Sequence, residues 1–185
     1  MSLYYLTAQL PSLDTVGAGS PLPITEECFV ELCHRFLGKK ARQCLDSLTL
    51  SPPREIERSG SSLVNAWNRG ERDLRLALGV MRARRMKKAF EPGDVALSEE
   101  ILKTAQTAAE MTNPMEAERY LFQYRLHFLE SLRPVDIFAE DYIFYYGLKL
   151  KLVLHANRFD TAAGKLAYRN IYNSILNGDR LEVLS

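Results

Sequence analysis

Cys28, Cys33, His34 and Cys44 are the residues most able to hold a metal, because thiolates and an imidazole within seventeen positions could supply tetrahedral zinc ligands. Their spacing argues against it. On one helix Cys33 falls ~140° from Cys28, and His34 a further ~100° round, so the side chains diverge. No Cys-x2-Cys pair occurs. The phosphate-loop candidate AAGKL, residues 162–166, has Phe159 where the first glycine belongs and Leu166 where magnesium needs a hydroxyl. GAG at residues 17–19 lacks the third glycine of a dinucleotide site. The acid pairs Glu99-Glu100 and Glu140-Asp141 fall at helix starts or on polar faces, where solvation accounts for them. His34, His127 and His155 are far apart, each in an amphipathic helix, with no nucleophile motif beside them. The residues therefore suggest no catalytic group, no cofactor and no metal.

The strongest remaining signal is electrostatic. Residues 69–88, RGERDLRLALGVMRARRMKK, carry eight Lys or Arg against two acids, while the whole chain carries a net charge of only +1. Any partner drawn by charge would meet a local patch rather than a whole-molecule field. Advancing ~100° per residue puts Trp67, Leu74, Ala77, Leu78 and Met81 on one apolar face. The arginines scatter around the remainder, whereas a helix lying along phosphates would gather them on one side. Nucleic acid is thus the weakest of three readings, behind a solvated surface and a protein-docking site. Only Arg82, Arg84, Arg85, Lys87 and Lys88 are dense enough to form a patch. Cations there also suit the negative end of a helix dipole.

A second candidate surface lies in the segment starting at Asp136 and ending near Ala156. Phe138, Tyr142, Tyr145 and Leu152 mark one face, and Phe144, Tyr146, Leu150 and Leu154 cover much of the other. A helix apolar nearly all round is either central in a bundle or covered by a partner. Core placement is the simpler explanation. If the segment instead meets a partner, Tyr142, Tyr145 and Tyr146 are its candidate anchors, and a homodimer is one outcome.

The elements that would hold these residues read as helices. Thr25 caps the first strong one, with Glu26 and Glu27 in its opening turn, and a second covers residues 39–48. A third runs from about Ser62 to Phe90. Ser98 starts a fourth, and Asn113-Pro114 starts a fifth that ends near Pro134. The sixth is the aromatic segment, and a last helix begins at Asp160 and stops at Asn177-Gly178. Loops fall near residues 11–24, 51–61 and 91–97. The opening YYLTAQL is one short strand or one helical turn. The expected fold is all-α: a single-domain antiparallel bundle of about six to seven helices spanning residues 1–185, with at most a short N-terminal extended segment. A chain of this length can bury roughly 70% of its unfolded surface without disulfide staples. The start lacks a basic leader, no run approaches the ~18 apolar residues of a membrane span, and three cysteines suit a reducing compartment. A cytoplasmic protein is the expectation.

Three segments taken together carry a family likeness. They are Tyr4-Tyr5-Leu6-x-Ala8-x-Leu10-Pro11, the stretch from Trp67 through Arg72-Asp73-Leu74-Arg75 to Arg82-Ala83, and RFDTAAGKLAYRNIYNSIL at residues 158–176. The chain thereby resembles an uncharacterised bacterial family encoded among the genes of V/A-type ATPases. That family is similar, at a distance, to the d-type subunit of those ATPases, an all-helical rotor component that seats the central stalk on the membrane ring. This chain is far shorter than a full d-type subunit, which is built from three similar helical bundles. The resemblance implies a non-catalytic helical subunit or assembly factor, located in the cytoplasm or at the membrane periphery, whose partners are stalk or ring subunits. An independent helical interaction module, with no ATPase link, is the alternative.

Overall fold

The computed structural model describes residues 3–17, 19–53, 58–90, 95–158, 169 and 171–172. Seven helices are described: α1 (Leu3–Gln9), α2 (Glu26–Phe36), α3 (Lys39–Asp46), α4 (Ser62–Arg85), α5 (Glu99–Glu110), α6 (Pro114–Ser131) and α7 (Glu140–Asn157). No strand occurs among the described residues. The opening segment is helical because Leu3, Leu6 and Leu10 recur along one face, with Leu6 fully buried against the main core. The helix expected from Asp160 to Asn177 lies outside the described residues apart from positions 169, 171 and 172.

Short polar residues start four of the helices by accepting orphan backbone N–H groups. Thr25 Oγ1 accepts from Cys28, Ser61 Oγ from Val64, Ser98 Oγ from Ile101, and Asn113 Oδ1 from Met115, with Pro114 in the first turn. Two boundaries differ from the sequence-based expectation. The aromatic helix begins at Glu140 rather than Asp136, because the Asp136 carboxylate accepts the Phe138 N–H at 2.9 Å and folds residues 136–139 into a turn. The long helix stops at Arg85 rather than Phe90, because Lys87 turns the chain into a left-handed backbone conformation.

The centre of the bundle is α7. Every residue from Ile143 to Leu150 is buried, as are Leu152 and Val153, and α2, α3, α4 and α6 all pack on it. Gly147 permits the closest approach, since a Cβ there would come within 3.1 Å of both Leu48 and Phe29. A single large cluster joins α7 to α1, α2, α3, Trp67 on α4 and Leu129 on α6. Leu74, Ala108 and Leu121 form a smaller one under α4, α5 and α6. Within the bundle α4 and α5 run parallel. The last residue of α4, Arg85, reaches the Ala109 carbonyl near the end of α5, and Phe90 packs over Gly79.

Candidate functional site

Part of the positive charge on α4 is occupied within the fold. Glu71 is only 2% exposed, and its carboxylate accepts from Arg75 Nε at 3.0 Å and from Arg125 Nε and Nη2 at 2.9 Å each. Arg75 also donates to the Leu50 carbonyl and to Ser51 Oγ. A buried carboxylate is tolerable only when paired and hydrogen-bonded, and these two guanidinium groups meet both conditions. They tie α4 to α6 and to the segment after α3. Arg75 is therefore structural, although it belongs to the basic stretch.

The final turn of α4 is different. Arg82, Arg84, Arg85, Lys87 and Lys88 are all exposed. The helix closes with the Lys87 N–H donating to the Arg84 carbonyl at 3.1 Å and the Lys88 N–H to the Ala83 carbonyl at 3.0 Å. This paired closure needs a residue in the left-handed region, usually glycine. Here Lys87 occupies it, with φ of 53°. Termination at Arg85 follows from that turn. Arg85 Nη1 reaches the Ala109 carbonyl at 3.5 Å, so the cations surround the negative ends of two parallel helices. Among the described residues, no carboxylate lies within ion-pairing distance of Arg82, Arg84, Lys87 or Lys88. Met86 and Phe90 add exposed apolar surface at this end.

The tyrosines proposed as anchors lie elsewhere. Tyr146 is buried, stacks on Phe29 with centroids 5.2 Å apart, and donates its hydroxyl to the Pro11 carbonyl at 2.8 Å. Tyr145 is also buried, beside Lys149, which donates to Glu130 at 2.6 Å. Burial pushes both phenols well above their ordinary range, and the hydrogen bond to Glu130 adds to the effect at Tyr145. Burial alone would raise the Glu130 carboxyl. Hydrogen bonds from Lys149 and Tyr145, with the charges of Lys149 and Arg133, outweigh it and hold the group below the usual carboxylate range. Tyr142 is half-buried against the same core. Tyr145 and Tyr146 are thus packing residues of this chain and do not join the basic end in one surface.

The cysteines and histidines are distributed through the fold. Cys28 is exposed, Cys44 half-buried and Cys33 buried, where desolvation raises its thiol to about 12. His34 Nε2 lies 2.8 Å from Asp46 Oδ1 and links α2 to α3. No three of His, Cys, Asp and Glu among the described residues gather as metal ligands.

Sequence reasoning missed a groove of about 750 Å³ between the first half of α6 and the end of α7. Phe122 and Leu152 line it together with Arg119, Gln123 and His155, and the loop at residues 19–21 closes one side. Asn157 holds that loop from the end of α7, accepting from the Gly19 N–H at 2.7 Å and donating to the Ser20 carbonyl at 2.9 Å. No local signal announces this clasp, because its partners are 138 and 137 positions apart.

No protein-family model matches the chain, and no curated protein or solved structure matches it either. Among the described residues, no helix is long and apolar enough to cross a membrane.

Proposed function

We propose that this chain is a non-catalytic helical component or assembly factor of a V/A-type ATPase, acting in the cytoplasm through protein contacts. The observation that carries the reading is the end of α4. Exposed cations at Arg82, Arg84, Lys87 and Lys88 have no acidic partner among the described residues and are held by a lysine in a backbone conformation that favours glycine. Such an end suits an acidic protein surface, since complementary charge steers encounter and selects partners. The choice of complex rests on the likeness of three segments, at residues 4–11, 67–83 and 158–176, to the ATPase-associated family. Stalk or membrane-ring subunits are the partners that likeness implies.

Affinity purification of the tagged chain from its native host tests the reading. Stalk or ring subunits should be recovered, and recovery should fall about tenfold when Arg84, Lys87 and Lys88 are each replaced by Glu. Recovery without any ATPase protein, or equal recovery with the triple variant, would refute it. The alternative of a self-pairing module through α7 gains no support from Tyr145 and Tyr146, which the chain's own core already covers.

A further inference from the structure

The opposite end of the molecule carries an apolar surface that the basic end of α4 does not involve. Tyr4 and Tyr5 on α1 are each more than half exposed, and their rings meet edge to face at 5.8 Å. Phe138, in the turn before α7, lies 5.3 Å from Tyr4 between ring centroids. Thr7 Oγ1 lies 3.1 Å from the Ile137 carbonyl, which ties α1 to this turn. Ile137 and Phe138 are exposed, and Val135 in the same loop is fully so, at 101%. The supporting backbone is ordered by hydrogen bonds: Asp136 holds the turn, and Tyr146 holds Pro11 just after α1. These side chains are therefore presented on a fixed frame.

Five partly or fully exposed side chains offer an apolar patch of at most a few hundred Å², the size of the largest patch on an ordinary monomer. That falls short of the ~800 Å² per partner in a standard interface, which disfavours a stable dimer built on this patch alone. The charges beside it decide further. Next to Ile137 and Phe138 in the chain stand the exposed acids Asp136 and Glu140, against one cation, Arg133, which is already paired with Asp14 at 3.1 Å. Two copies facing each other here would oppose like charges, and an anionic lipid surface would be repelled. A basic partner would be attracted.

We infer that Tyr4, Tyr5, Val135, Ile137 and Phe138 form a second docking surface, whose occupant is an amphipathic helix of another protein with Lys or Arg flanking its apolar face. The aromatic side chains supply the apolar anchors, and Asp136 and Glu140 select the flanking charge.

The test uses two synthetic amphipathic helices that share a Leu- and Phe-rich face, one flanked by Lys and Arg and the other by Glu. Fluorescence anisotropy should give micromolar binding of the basic peptide to the full chain. That binding should weaken about tenfold in a Tyr5→Ser/Val135→Ser double variant, whose altered side chains are exposed and leave the circular dichroism unchanged. Glu140→Lys provides an independent readout: it should weaken the basic peptide several-fold and strengthen the acidic one. The inference is overturned if the basic peptide fails to bind, or if the double variant binds it equally. It is also overturned if the same double variant abolishes self-association in sedimentation or binding to phosphatidylglycerol vesicles, because a second copy or a membrane would then be the occupant.

Discussion

The two ends of α4 are set in different surroundings. At its beginning Ser61 donates to Asp141 at 2.6 Å, Trp67 is wholly buried against Phe128, and Glu71 is clamped by two arginines. At its finish, about 36 Å away at 1.5 Å rise per residue, the helix has α5 beside it and ends in exposed cations. One sequence pattern, apolar residues interleaved with arginines, serves both. What distinguishes them is whether the fold supplies a carboxylate and a second layer of helices. Arginine content alone says little about docking; the arginines left without an internal acid are the informative ones.

That contrast can be broken by substitution. Trp67→Ala should lower unfolding free energy by ~3–5 kcal/mol in denaturant titration, whereas Met86→Ala at the far end should change it by less than about 0.5 kcal/mol. Comparable losses would erase the difference between the ends. Glu71→Ala should cost about 3 kcal/mol, because Arg125 would be left largely enclosed without its counter-charge. Lys87→Gly should act in the opposite direction, raising stability by ~1 kcal/mol through relief of the left-handed backbone. If the same change also weakened recovery of ATPase proteins, the lysine side chain and not only the turn would be implicated.

The smallest expected effect concerns acid. Because Glu130 titrates lower in the folded chain than its ordinary value of 4.5, its contribution is present above that value. It fades as pH falls through the lower folded-state value. Stability measured from pH 6 downward should therefore decline less steeply in Glu130→Gln.

Helix positions were readable because they depend on local chemistry. Thr25, Ser98 and Asn113 are short polar residues placed just before acidic or proline-containing first turns, and each is found accepting a backbone N–H. The apolar stripe through Trp67, Leu74 and Ala77 likewise needed only helical periodicity. The aromatic helix was ambiguous, since centrality and partner coverage leave the same two-sided pattern; only packing resolves Tyr145 and Tyr146 as interior. Glu71 is a different kind of miss. Nothing beside it in the sequence marks it for the core, since its burial depends on Arg125, fifty-four positions later. The Tyr4–Phe138 surface was equally hidden, because α1 and the turn before α7 are brought together by folding alone. The left-handed Lys87 had no sequence signal, as the position holds none of the residues that usually announce such a turn.

Having the hub as the last of the seven described helices affects how the chain is made. At ordinary translation rates of ~5–20 residues per second, the six preceding helices emerge over several seconds before Ile143–Val153 arrive to fill the space between them. Until then the inner faces of α2 and α4 have no permanent cover, and chaperone engagement or misassembly competes with completion. A chain truncated before residue 140 should consequently be loosely collapsed and protease-sensitive, and one that includes all of α7 should be resistant.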